Sequence, residues 1–202
     1  MSFWNLSNGE SAATGDTDFE IGGGNFKTIP DGSSVLAYPE KAAWDRHDSG
    51  EEYIALTWKV TMPQEYAGVT VKQKLYVSDD DPSVSDASKM AKKRDKAKRT
   101  LAAIDANCGG RLARKANMPT DDDLTLALTG QNKVMTITVK VWEIDDKNNP
   151  GETVSGNWIC AVASKTKGVD ITDAPVPEKK PVASSGGGAR RSSLDDEDSV
   201  PF

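Results

Sequence analysis

A mainly β domain of five strands, with one long helix set between the third and the fourth, is the fold class this sequence predicts. Three observations carry that expectation. Five separate stretches alternate apolar and polar residues with period two, or run apolar on both faces. Residues 85–107 switch to helical spacing. Both ends of the chain lose periodicity and turn to Gly, Ser, Pro and charge.

Residues 1–28 are rich in Gly, Ser, Asn and Asp and read as an N-terminal arm, with Phe3, Trp4 and Phe19 available to pin it to the body. The turn signal Ile29-Pro30-Asp31-Gly32 opens the ordered domain. The first strand spans Ser33 to Trp44 and is bent or at an edge because Pro39 interrupts it. The second, Tyr53 to Met62, turns Ile54, Leu56, Trp58, Val60 and Met62 inward and Tyr53, Thr57, Lys59 and Thr61 outward. A hairpin-sized loop leads to the third, where Val69, Val71, Leu75 and Val77 face in and Thr70, Lys72, Lys74 and Tyr76 face out.

The helix follows. Met90, Ala97, Leu101, Ile104 and Cys108 form its apolar stripe, and Lys92, Lys93, Lys96 and Arg99 project from the opposite arc. Gly109-Gly110 ends it, since glycine tolerates the left-handed turn past a helix C-terminus. A short second helix is expected after Thr120, with Asp121 to Asp123 in its first turn and Leu124 and Leu128 packing. The fourth strand turns Met135, Ile137, Val139 and Val141 inward and Thr136, Thr138, Lys140 and Trp142 outward. The fifth, within Asn157 to Ala163, is apolar on both faces. Neither Trp44 nor Trp158 is assigned a role by the pattern.

Strand, strand, strand, helix, strand, strand is the element order of an OB-fold-like five-stranded barrel, an architecture whose loops and exposed face often bind nucleic acid. The expected organisation is an arm (1–28), an OB-fold-like DNA-binding domain (29–167), a flexible linker (168–194) and an acidic tail (195–202), the last two disordered.

Composition narrows the function. No run approaches the roughly 18 apolar residues of a membrane span, and the N-terminal residues lack the basic and apolar regions of a secretory signal. Cys108 and Cys160 with the single His47 cannot complete a four-ligand zinc site without carboxylates, so no metal and no cofactor is expected. A cytoplasmic protein with free thiols is expected. The net charge of -6 is unevenly spread: Lys89 to Arg99 carries seven cations against Asp95 alone.

The negative pole lies at Asp195-Asp196-Glu197-Asp198-Ser199-Val200-Pro201-Phe202. A terminal Phe joins an apolar ring to a free carboxylate, so a hydrophobic pocket with a basic residue can hold it. Pro201 biases the segment to extended geometry, which lowers the entropic cost of docking. The acidic run adds attraction toward a basic partner. Asp195, Asp196, Glu197, Asp198, Pro201 and Phe202 are therefore the candidate partner-binding residues.

This ending resembles the acidic C-terminal tail of bacterial and phage single-stranded-DNA-binding proteins, the SSB family. The resemblance implies recruitment of replication, recombination and repair proteins, and it covers these eight residues alone. The stretches "SFWNLSNG", "FEIGGG", "RDKAKRTLAAIDAN" and "SGNW" are similar to a phage-encoded group found among replication and recombination genes, which would place the protein in the host cytoplasm. The opening strand of the bacterial SSB core has no counterpart here, so its tetramer is not implied and the oligomeric state stays open.

Binding single strands without sequence preference requires cations for phosphates and aromatic faces for unpaired bases. The outward residues of the second, third and fourth strands offer both: Tyr53, Lys59, Lys72, Lys74, Tyr76, Lys140 and Trp142. Lys92, Lys93, Lys96 and Arg99 on the helix add charge that could meet phosphates or the acidic tail. Trp58, on the apolar face, belongs to the core.

Two other readings compete. A protein-only recruitment adaptor would use the same tail without DNA. A metal-dependent nuclease would need carboxylates such as Asp79-Asp80-Asp81, Asp121-Asp122-Asp123 or Asp145-Asp146 to share an ion. Those runs sit at strand ends and helix starts, where aspartate serves turns and caps. No phosphate-binding glycine loop, nucleophile elbow or histidine pair is present, so no catalytic residue is expected.

Overall fold

The computed structural model describes residues 27–176 apart from 49, 79–80, 82 and 146–152. The N-terminal arm up to residue 26, most of the expected linker and the whole acidic tail lie outside the described residues. The chain forms β1 (Ser34–Arg46), β2 (Glu52–Met62), β3 (Thr70–Leu75), α1 (Ala87–Asn107), α2 (Asp121–Leu128), β4 (Met135–Asp145) and β5 (Thr153–Ala163). These elements arise in the expected order.

The five strands make one antiparallel sheet in the order β3-β2-β1-β4-β5. The sheet curls, because its two edge strands, β3 and β5, approach each other and α1 touches both. No hydrogen-bonded ladder joins β3 to β5 among the described residues. The barrel expected from the sequence is therefore not closed. Its last seam is side chains and helix in place of backbone pairing.

Alternation explains which residues enter the core. Ile54, Leu56, Trp58 and Val60 of β2 are buried, as are Val71 and Leu75 of β3 and Met135, Ile137 and Val139 of β4. Trp58 is 0% exposed, and its indole N–H donates to Gln73 Oε1 at 3.0 Å, so burial leaves no polar atom unsatisfied. Each aliphatic side chain removed from water in this cluster contributes ~1.5–3 kcal/mol before entropy is counted. β1 bends as Pro39 requires: its pairing with β2 shifts register between Pro39 and Lys41.

The helices are anchored at their ends. Asp86 caps α1 by accepting from the backbone N–H groups of Ser88 and Lys89 at 2.8 and 3.0 Å, so the helix begins two residues past the expected Ser85. Past its C-terminus, Gly109 and Gly110 adopt φ of +105° and +68°. The buried carboxylate of Asp105 then holds the reversed chain, accepting from Leu112 N and Ala113 N at 3.0 and 2.9 Å. Thr120 and Asp123 form a reciprocal capping box at the start of α2. α2 packs on β1, where the Trp44 indole donates to the Pro119 carbonyl at 2.8 Å and Thr125 Oγ1 to the Ala42 carbonyl at 3.3 Å.

Four expectations about faces need correction. Met62, expected inward, is 52% exposed, because a register shift between Leu36 and Ala37 interrupts β1 where it pairs with the end of β2. Thr136, expected outward, is fully buried: the chain after β5 crosses over it, and its hydroxyl meets the Ser164 and Gly168 carbonyls at 3.1 and 3.3 Å. Tyr53 and Tyr76, also expected outward, are 6% and 3% exposed. They are buried against each other and against His47, at the end of the sheet where β1 turns into β2.

The ordered body also outruns the expected boundary at Lys167. Asp170 exchanges two backbone hydrogen bonds with Ser34, at 2.6 and 2.9 Å, and Thr172 Oγ1 donates to the Asp31 carbonyl at 2.6 Å. Ile171 packs against the core.

Candidate nucleic-acid interface

The outward face of β1, β2 and β3 is built in rows by their cross-strand register. Lys41, Thr57 and Lys72 form one row; Ala43, Ala55 and Lys74 form the next; Tyr38, Lys59 and Thr70 lie on the other side. Side chains opposite each other on antiparallel strands stand about 4.5–5.5 Å apart. Four lysines therefore border a floor of Ala43, Ala55 and Thr57, which are too small to fill the space between them. Lys59 is shared with Glu40, whose carboxylate lies 3.2 Å from its Nζ. Lys41 and Lys72 are exposed. Lys59, Lys72 and Lys74 were expected on this face. Lys41 was not, because alternation counted through Pro39 fails at the bulge.

The floor ends in a polar corner. His47 Nε2 lies 2.5 Å from the Tyr76 hydroxyl and 3.4 Å from Lys74 Nζ. The Tyr53 hydroxyl donates to Asp45 Oδ2 at 2.8 Å, and Lys74 Nζ stands 5.0 Å from the centre of the Tyr53 ring. The Arg46 backbone N–H and then the Tyr53 hydroxyl hold Asp45 below the usual carboxylate range. Burial first, and then Asp45, push the Tyr53 phenol up; burial does the same for Tyr76. Both phenols are neutral donors or acceptors at ordinary pH. Neither offers an open ring face, so their stacking on a base requires the corner to open.

β4 and β5 carry the aromatic part of the outward surface. Lys140 pairs across the ladder with Trp158, its Nζ 5.9 Å from the indole centre. Trp142 pairs with Gly156 and is half-buried against it. Beyond them Ile144 and Val154 face each other, both exposed. Trp158 is the residue that the sequence pattern did not place, because β5 is apolar on both faces and alternation could not assign its direction.

The basic helix divides its charges. Lys92, Lys96 and Arg99 line a groove of about 560 Å³ whose other wall is β5, with Ile159 and Val162 as its apolar part and Asp95 its single carboxylate. Lys93 points elsewhere, to the buried Asp81 at 3.4 Å. Successive residues 159–162 all line this groove, so it runs along the strand's edge and meets backbone as well as side chains. The structure thus brings Lys59, Lys72, Lys74 and Tyr53 onto one face, sets Lys140 and Trp142 on β4, and places Lys92, Lys96 and Arg99 in a separate groove.

Among the described residues no group of three or more His, Cys, Asp or Glu is placed to hold a metal ion. Cys108 is half-buried, and burial raises its thiol to about 11, so it is protonated. No described helix is long and apolar enough to cross a membrane. No protein-family model and no curated protein matches the chain.

Proposed function

We propose that this protein binds single-stranded DNA without sequence preference, protecting it during replication or recombination, and that its acidic segment Asp195–Phe202 recruits replication and repair proteins. The observation that carries the DNA reading is the outward face of β1–β3. Lys41, Lys59, Lys72 and Lys74 surround a floor of small residues, spaced by the register of the sheet. A polyanion laid on that floor meets cations on three strands, and the space above Ala43 and Ala55 admits flat groups. Trp158 and Lys140 on β5 and β4 extend the same chemistry with an aromatic platform.

The curled sheet with α1 across its open seam supports an OB-fold-like, partly open barrel, an architecture that binds oligonucleotides on its strand face. The groove between α1 and β5 supports a second contact for phosphates. The recruitment reading rests on the chemistry of the sequence: four carboxylates beside the apolar ring of Phe202.

Filter binding with poly(dT), matched duplex and a salt series tests the DNA reading, with strand integrity followed in magnesium. Single strands are expected to bind more tightly than duplex, with affinity falling as salt rises. Equal affinity for both, or indifference to salt, overturns it, and strand cleavage would favour a nuclease. For recruitment, wild type and Phe202→Ala are compared as baits for replication and repair proteins. Identical captures overturn that half of the proposal while leaving the first intact.

A further inference from the structure

The corner at the end of the lysine floor holds the chain's single histidine among partners that constrain its proton. An ammonium group can only donate. Lys74 Nζ, 3.4 Å from His47 Nε2, can be held there only by the single lone pair of that nitrogen, which it would share with the Tyr76 hydroxyl at 2.5 Å. The tautomer with its proton on Nδ1 supplies that lone pair. It holds Lys74 back against the Tyr53 ring.

We infer that His47 is a proton-operated latch on the anion-binding face, and that protonating it releases Lys74 onto the lysine floor. This rests on the DNA reading above for its ligand and deepens it by naming how the site is regulated. When Nε2 gains a proton it becomes a donor. The Tyr76 hydroxyl can reverse and accept, but Lys74 has nothing to reverse: it loses its acceptor and faces a like charge. Its flexible stem then carries the ammonium toward Ala55, its cross-strand neighbour, and Lys72. The face gains a nearby imidazolium and a freed ammonium together.

The surroundings on every packed element bear on the same proton. Asp45 on β1 lies close enough to feel both His47 and Lys74 and offsets the added charge. Tyr53 on β2 stacks at a tilt against the imidazole, with ring centres 5.0 Å apart. Glu51, whose backbone carbonyl accepts from His47 N at 2.9 Å, and Asp81 beyond β3 both act on Tyr76. Arg46 is tied to Glu52. Imidazole is the one side chain whose ordinary titration falls between pH 5 and 8, so a single substitution removes the switch from the whole chain.

The test measures binding of an oligo(dT) probe by fluorescence anisotropy at pH 5.5 and 8.0 and fixed ionic strength, using the full chain. NMR titration of the DNA-free protein runs alongside. Each added phosphate contact strengthens binding roughly threefold at about 0.2 M salt relative to a 1 M reference. Wild type should bind roughly three- to tenfold more tightly at pH 5.5. His47→Gln should keep no more than the small gain from the α-amino group, which titrates in the same window, so that the difference between the two proteins isolates His47. Lys74→Gln should keep only the smaller gain from the imidazolium. In the free protein the Lys74 and Tyr76 side-chain resonances should follow the His47 ring with one midpoint.

A pH gain in His47→Gln as large as in wild type, or Lys74 resonances indifferent to the His47 titration, overturns the latch. Linked resonances with no oligo(dT) binding at any pH would instead uphold the latch and overturn the DNA reading.

Discussion

Trp142 lies over the backbone of Gly156, its partner across the β4–β5 ladder, so closely that a Cβ on that glycine would stand 2.5 Å from the indole Cζ2. The glycine is thus selected by the ring and not by its backbone angles. Gly156→Ala should force the indole off the strand and cost about 1–3 kcal/mol, the usual penalty for overfilling a packed contact. Chemical denaturation checks the stability, and a red shift in tryptophan emission checks that the ring has moved into water. An unchanged melt and spectrum would show that the pair has slack.

Trp58 is the complementary case, an aromatic wholly inside. Trp58→Ala should lower the unfolding free energy by about 3–5 kcal/mol. Trp58→Phe should cost less, since it keeps most of the volume, but it leaves Gln73 Oε1 without its donor. Urea melts of the two variants separate cavity from lost hydrogen bond.

The lysine floor makes a quantitative claim. Lys41→Gln and Lys72→Gln should each reduce the slope of log affinity against log salt by ~0.7 for single strands, with little change in melting temperature. Glu40→Gln should do the reverse, because it releases Lys59 from its 3.2 Å ion pair. Fluorescence titrations across a salt series read all three. Slopes that match wild type would place the DNA elsewhere, the α1–β5 groove being the next surface to test.

How legible was this in the sequence? Trp58, the stripe of α1 and the start of α2 after Thr120 follow from spacing alone, because each depends on residues within a turn or on one face. Lys41 does not, because the bulge after Pro39 breaks the count. Tyr53 reads as outward by alternation and lies in register with that face, yet it and Tyr76 are buried, since the turn at His47 brings three rings together. Thr136 is covered by a segment 28 residues away in sequence. Periodicity reports which face a residue occupies. It is silent on what later lies upon that face.

Acid should destabilise the fold through particular carboxylates. Asp45, Asp86 and Asp123 are held below the ordinary value of 3.8, chiefly by the Arg46 N–H, by the Lys89 and Ser88 N–H groups, and by Lys115 respectively. A carboxylate depressed in the folded state stabilises it above the unfolded value and loses that contribution as pH falls through the folded one. The melting temperature should therefore begin to fall as pH drops through about 4, with Asp86→Asn showing a shallower decline than wild type. A melt insensitive to pH between 5 and 2 would contradict this.

The clasp of Asp170 on Ser34 and of Thr172 on Asp31 has a topological consequence. The segment that leads into β1 and the segment that follows β5 lie side by side there, from Asp31 to Ser34 and from Asp170 to Thr172. A peptide bridging Asp31 and Thr172 would turn the body into a ring, and that ring could be reopened at Gly50, in the exposed β1–β2 turn, with every strand keeping its neighbours.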